Sequence, residues 1–253
     1  MLTFSLQSGS NGNSIYVEAG DTRLLFDAGI SGEQAANRMR AHGRDIRDVQ
    51  ALIISHDHYD HTRCAGVFQR KFGLPIYMSN AVFRAIRYKL GKVRDVRSYT
   101  PGDRLEFGDV SVHTIRTPHD GIDTVCFVVE HEGKRLGIFT DLGHPFAALQ
   151  SVLGEVDAAY LESNYDVEML RTGSYPEQLK RRIAGDAGHL SNDEAAELSQ
   201  RCKSRRLQWV AVAHLSQENN RPDLALETHR KRIGSLFPVH LASRYQVSDV
   251  FEV

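Results

Sequence analysis

The run Ala51-Leu52-Ile53-Ile54-Ser55-His56-Asp57-His58-Tyr59-Asp60-His61 decides how this 253-residue chain is read. Its first four residues are apolar, which predicts a short buried strand, and the strand stops abruptly at four metal-binding side chains, His56, His58, Asp60 and His61. A strand end is a rigid mount. Side chains two residues apart in extended backbone share one side, so His56 and His58 can close on one cation, while Asp60 and His61, past a bend, can face a neighbouring one. The pattern predicts two adjacent metal ions.

The same placement recurs along the chain. Arg23-Leu24-Leu25-Phe26-Asp27 reads as a strand ending in an acid before Ala28-Gly29, and Asp27 is expected to accept the second ring N–H of a metal-binding histidine. Thr117-Pro118-His119-Asp120 ends a strand at a proline and offers His119 as a third ligand to the first ion. Lys134 to Phe139 delivers Thr140-Asp141-Leu142-Gly143; a carboxylate has two oxygens, so Asp141 is the bridging candidate. Val156 to Leu161 ends in Glu162, and Leu207 to Ala213 ends in His214, which would complete the second ion. In Gly188-His189-Leu190-Ser191-Asn192, Ser191 caps a helix with Glu194 at the capping-box position, so His189 precedes a helix start, where anionic charge is favoured. His189 is expected to meet a phosphate. The other histidines, His42, His113, His131, His144, His229 and His240, are read as packing and surface residues.

Around these sites the pattern is layered α/β. Strands are predicted over Leu2 to Leu6 and Ser14 to Ala19, then a helix over 31 to 42, a helix from a Thr62 cap to about Phe72, a strand at Pro75 to Met78 and a helix from Ser79 to about Leu90. Leu105 to Phe107, Val110 to Arg116 and Thr124 to His131 read as consecutive strands, with helices at Pro176 to Ile183 and Pro222 to about Ile233. The length suits one domain over 1–253. No basic segment followed by an apolar core opens the chain and no 18-residue apolar run occurs, which points to a cytoplasmic protein away from the membrane. The 3 cysteines, Cys64, Cys126 and Cys202, are widely spaced, so neither a disulfide framework nor a thiolate zinc site is expected, and they are read as buried, reduced thiols. Net charge is −1, which excludes whole-surface attraction to nucleic acid, yet basic residues gather between Arg84 and Arg97 and at Lys180-Arg181-Arg182.

Asp27, the HxHxDH pattern at His56 to His61, His119, Asp141 and His214 together resemble the metallo-β-lactamase superfamily across the chain. More narrowly, the segments Ser8 to Asn13, Asn164 to Leu170, Gly188 to Asn192 and His214 to Asn220 resemble its YycJ (WalJ) exonuclease branch. The placement of His189 and His214 is also similar to ribonuclease Z. No long glycine-proline arm is present, and the stretch between Asp141 and His189 is too short for the extra domain of β-CASP nucleases. The fold implied is an αβ/βα four-layer sandwich of two mixed sheets flanked by helices.

The resemblance implies two divalent ions, Zn, Mn or Fe: His56, His58, His119 and Asp141 around one, and Asp60, His61, His214 and Asp141 around the other. It implies a dinuclear metal hydrolase, a phosphodiesterase or nuclease of a 5′–3′ DNA exonuclease kind, whose nucleophile is a bridging hydroxide. Asp60 would also hold that water's proton, and His189, oriented by Glu162, would contact the transition-state phosphate or protonate the leaving group. Ser10, Asn13, Asn164, Arg171, Asn192 and Asn219 are expected to contact substrate phosphates. The expected partner is nucleic acid, DNA ahead of RNA, with no stable protein partner. The competing expectations are hydrolysis of a small ester, thioester or lactam on the same metals, and a di-iron redox module, whose members carry Glu where this chain has His58.

Overall fold

The strand Ala51-Leu52-Ile53 is buried on both faces: Ala51 and Ile53 enter the apolar layer between two sheets, while Leu52 and Ile54 enter the layer under the helices. This double burial is why the segment is uninterruptedly apolar. The structure, a computed structural model, describes residues 1–202 and 206–253.

The first half of the chain gives β1 (Leu2–Gln7), β2 (Ser14–Ala19), β3 (Thr22–Phe26), α1 (Gly32–Ala41), β4 (Ala51–Ile53), α2 (Tyr59–Thr62), α3 (Ala65–Phe72), β5 (Ile76–Ser79), α4 (Asn80–Leu90) and β6 (Val96–Tyr99). The second gives β7 (Arg104–Phe107), β8 (Val110–Arg116), β9 (Val125–His131), β10 (Lys134–Phe139), α5 (Ala147–Leu153), β11 (Ala158–Glu162), α6 (Val167–Thr172), α7 (Glu177–Ile183), α8 (Asn192–Arg201), β12 (Trp209–Ala213), α9 (Pro222–Ile233) and β13 (Val239–Leu241). β14 (Phe251–Glu252) returns to pair with β1.

Two 7-stranded sheets result, ordered β14-β1-β2-β3-β4-β5-β6 and β13-β12-β11-β10-β9-β8-β7. In each, antiparallel pairing runs from one edge to β3 or β10, and parallel pairing continues from there. Phe26, Ile53, Phe127, Ile138 and Tyr160 meet between the sheets. Outside the first sheet Ala35, Met39, Phe68, Val82 and Ile86 line the helical layer; outside the second, Leu149, Leu153, Ala195 and Leu198 do the same. The order is helix, sheet, sheet, helix, the four-layer sandwich expected.

Several local expectations needed correction. Thr62 does not cap a helix: its hydroxyl donates to the His58 carbonyl at 2.9 Å inside the single turn α2, and α3 starts afresh at Ala65. Val96–Tyr99, Ala147–Leu153 and Val167–Thr172 were not foreseen. Of the cysteines Cys126 is buried, but Cys64 and Cys202 are only half-buried. Ser79, Ser191 and the Pro222 start act as read: Ser79 accepts from the Val82 N–H at 3.1 Å, and Ser191 with Glu194 closes a capping box.

His229 of α9 is fully buried, 3.2 Å from the Ser163 hydroxyl, and burial pushes its pKa down from 6.5 to about 4. The unfolded chain therefore takes up a proton below about pH 6.5 that the folded chain refuses until about pH 4. Stability should be intact above that window and fall through it as pH drops, by up to about 3 kcal/mol. Denaturant unfolding between pH 7.5 and 4.5 should show a shallower acid loss for His229→Gln; identical slopes would remove this account.

Candidate metal centre

The candidate side chains gather where the two sheets present strand ends to each other. His56 to His61 follow β4 and Asp27 follows β3; His119 follows β8, Asp141 follows β10, Glu162 ends β11 and His214 follows β12. Asp27, Asp141 and His214 have φ of 63°, 57° and 56°, a left-handed bend that non-glycine residues take at a cost, Asp more readily than most. The metal-binding loop is clamped by backbone bonds: Ala28 N–H donates to the His61 carbonyl and Asn13 N–H to the Asp60 carbonyl, each at 2.8 Å. Gly29 makes this approach possible, since a Cβ there would fall 1.7 Å from the Asp60 carbonyl oxygen.

Four overlapping donor groups form, two of which match the expected ion sites. In one, potential ligand atoms of His56, His58 and His119 lie within 4.8 Å of one another; in the other, those of Asp60, His61 and His214 do. Asp141 faces both, with one carboxylate oxygen 3.3 Å from His61 Nε2 and the other 3.6 Å from His119 Nε2 and from His214 Nδ1. His56 Nε2 and Asp141 Oδ2 are buried with no hydrogen-bond partner in the protein, an expensive arrangement unless a cation takes up their lone pairs. A donor set of imidazole and carboxylate without thiolate fits zinc, manganese or iron.

Support lies one layer out. Asp27 accepts from His61 Nδ1 at 2.7 Å and from the Ser55 N–H at 2.8 Å, while the Ser55 hydroxyl also touches His56 Nδ1 at 2.9 Å. These contacts fix which ring nitrogen each histidine turns inward. Asp27→Asn should weaken binding of Zn²⁺ or Mn²⁺ by about ten- to a hundredfold in chelator competition, with the fold kept; unchanged affinity would make Asp27 a purely structural residue.

Of Ser10, Asn13, Asn164, Arg171, Asn192 and Asn219, only Asn13 reaches the centre, with its side-chain N 3.2 Å from Asp60 Oδ2 and 3.1 Å from His61 Nε2. Asn164 is buried and donates to the His214 carbonyl at 2.8 Å, holding that strand end. Asn192 and Asn219 are fully buried, Asn192 in a network with Ser163 and Asn220, so neither presents an amide to a passing strand. Arg171 is exposed but paired with Glu168 at 2.5 Å within α6, and Ser10 is exposed on its turn with no contact to the centre. Short polar residues in glycine-containing segments signal both substrate loops and buried Asn brackets; burial alone separates them. Two residues had not been read as part of the site: Asp120, 3.5 Å from His58 Nε2 and 3.6 Å from His119 Nε2, and Arg182 of α7, noted only within a basic cluster, which grips Asp120 at 2.5 and 3.1 Å.

The profile of the metallo-β-lactamase superfamily matches residues 8–171. This chain belongs to that superfamily. It is 33% identical to exodeoxyribonuclease YycJ of Bacillus anthracis, with 93% of this chain and 92% of that protein covered. It is 35% identical to exodeoxyribonuclease WalJ of Streptococcus pneumoniae over 87% of this chain and 83% of the relative. Among solved structures, the metallo-β-lactamase fold protein YhfI of Bacillus subtilis superposes with a TM-score of 0.74 at 16% identity, covering 100% of this chain and 99% of the other.

In this superfamily member the site is strongly anionic. Burial pushes the Asp60 and Asp141 carboxyls up, but the adjacent His61 and His214 pull both well below the usual carboxylate range. Glu162 behaves alike: burial raises it, and His189 and His214 bring it to about 2. In return, burial lowers His214, but Asp141, Asp60 and Glu162 raise it to about 10; His61 is likewise raised well above 6.5 against its burial by Asp141, Asp27 and Asp60. His56 goes the other way, held neutral by burial and by His61 beside it. The ionised acids demand positive charge. Protons on His61 and His214 supply it in the bare protein, and divalent cations would displace those protons.

Proposed function

We propose that the chain is a two-metal phosphodiesterase that degrades DNA as an exonuclease in the cytoplasm, with zinc, manganese or iron as the divalent ions. The observation that carries this reading is the His189–Glu162 pair beside Asp141: His189 Nδ1 lies 2.7 Å from Glu162 Oε1 and 3.9 Å from Asp141 Oδ1. An imidazole in this place suits the extra oxygens and charged leaving group of a phosphodiester better than a small ester or lactam. The family relatives named exodeoxyribonuclease cover most of the chain and support the same substrate class.

His56, His58, His119 and Asp141 would hold one ion and Asp60, His61, His214 and Asp141 the other. When bound, such a pair acidifies water and neutralises charge on a phosphodiester. The protein's own part is distinct. Asp141 holds the two donor groups at a common centre, and Asp60, fully ionised between His61 and His214, can accept a proton from water. Glu162 accepts from His189 Nδ1–H and fixes the ring, so that Nε2, once it carries the ring's second proton, can donate to a phosphate oxygen or to the leaving oxygen. Asn13 steadies Asp60 by donating to Oδ2, the same oxygen that His214 Nε2 approaches.

The test is incubation of end-labelled single- and double-stranded DNA and RNA with the protein and added Mn²⁺ or Zn²⁺. Stepwise shortening of DNA from one end is the expected result. Failure to cut any strand would transfer the assignment to a small ester, thioester or lactam.

A further inference from the structure

Of the two basic clusters in the sequence, one is largely neutralised: Lys180 pairs with Glu177 at 3.1 Å and Arg182 with Asp120 at 2.5 Å. The other is not. Residues 65–97, which form α3, β5, α4 and β6, carry eight cations and a single acid, Asp95, in a chain whose net charge is −1. Arg97 claims that acid at 3.0 and 3.1 Å. Arg84, Arg87, Lys89, Lys92 and Arg94 are exposed and have no carboxylate within ion-pair distance among the described residues. Helix dipoles explain part of the pattern, since Arg70 and Lys71 close α3 and Arg87 and Lys89 close α4. They do not explain Arg84 in the middle of α4, or Lys92 and Arg94 beyond its end.

The topology gathers these charges. β4, β5 and β6 are parallel neighbours, so α3 and α4, the crossovers between them, run the same way and end together. The loop 91–95 is pinned to α3: the Gln69 side chain donates to the Asp95 carbonyl at 2.6 Å and accepts from the Arg94 N–H at 2.5 Å, while Arg70 donates to the Leu90 carbonyl. An open groove of about 520 Å³ results, lined by Gln69, Arg70, Gly73, Lys92, Arg94 and Asp95. It is remote from the metal centre. His56 to His61 leave the carboxyl end of β4, whereas residues 91–95 enter the amino end of β6, and the 11 residues of α4 alone put about 16 Å between the two levels.

We propose that this face, from Arg84 along α4 to Lys92 and Arg94, binds the phosphate backbone of duplex DNA several base pairs away from the end being cut. Unpaired cations on a rigid scaffold attract a polyanion by releasing its counter-ions, without reading its sequence. At about 3.4 Å per base pair, roughly five pairs cover the distance from the metals. A mononucleotide diester at the centre cannot reach it. The inference rests on the nuclease reading, which selects DNA over an anionic membrane as the polyanion.

The test compares wild type with a triple variant, Arg87→Gln, Lys92→Gln and Arg94→Gln, all at exposed positions. Binding of a fluorescent 30-base-pair duplex is followed by anisotropy between 50 and 200 mM salt, and turnover with Mn²⁺ is measured on that duplex and on the p-nitrophenyl ester of thymidine 5′-monophosphate. Loss of three phosphate contacts should flatten the slope of log affinity against log salt by about 2.7 and raise KM for the duplex about tenfold. Turnover of the thymidine ester should stay as in wild type. A variant that binds and cuts the duplex like wild type overturns the surface while leaving the nuclease reading intact, and parallel loss on the thymidine ester overturns it too. Salt-dependent duplex binding that the variant loses, with no cutting by either protein, would keep the surface and remove the nuclease reading. Wild type that ignores the duplex but binds phosphatidylglycerol vesicles would give this face to a membrane.

Discussion

Asp141→Ala is expected to lower DNA cleavage by about a thousandfold or more and to reduce bound metal to less than the wild-type content. The reason is position. Its two carboxylate oxygens lie within 3.6 Å of ring nitrogens on His61, His119 and His214, so the substitution would remove a donor from both proposed cation sites together. It also leaves His61 and His214 facing each other with less negative charge between them, which lowers their proton affinity and weakens the site's hold on any cation. Metal content by atomic emission, read beside turnover, decides the matter. Full metal content with normal turnover would remove Asp141 from the centre.

His189→Ala separates chemistry from metal binding. Its side chain is 19% exposed, whereas His61 is at 0%, so His189 is the one imidazole of the inner group that Glu162 holds and substrate can reach. The variant should keep both metals and lose about 10²- to 10⁴-fold in kcat with KM little changed, the range for a missing proton donor. Loss of metal instead would make His189 a ligand, an outcome with a structural basis, since its ring groups with Asp141, Glu162 and His214 within 4.8 Å. Glu162 contributes to both outcomes because it also lies 3.0 Å from His214 Nδ1, a link that the linear sequence did not suggest.

The strands that carry the site were legible because most of them finish in an apolar run followed within a few residues by an acidic or imidazole side chain. Ala51–Ile53, the Leu136–Phe139 end of β10 and Trp209–Ala213 all do so, as burial between two layers favours. Edges were illegible for the converse reason. Val96–Tyr99 carries Arg97 and Ser98 exposed, and Phe251–Glu252 acquires its identity only by pairing with Leu2 and Thr3 across the whole chain. The amides of Asn164 and Asn192 misled because an Asn that braces a strand end and an Asn that meets a phosphate occupy the same kind of turn. Asp120 escaped because its significance depends on Arg182, brought alongside by α7 from 62 positions away.

The division of the donors between the two sheets also dictates an order of events during synthesis. His56, His58, Asp60 and His61 leave the ribosome together and are buttressed by Asp27, already present, so the nascent chain first owns a set of imidazoles with one inward carboxylate. His119 follows, then Asp141, and His214 emerges only after β11 and α8. A cation captured early would be held by an incomplete set and exchange freely; firm retention requires the second sheet to dock. Metal loading at the proposed centre would therefore be coupled to completion of the sandwich, and a ribosome-stalled chain ending before His214 would expose Asp60 and His61 without the residue that closes their side.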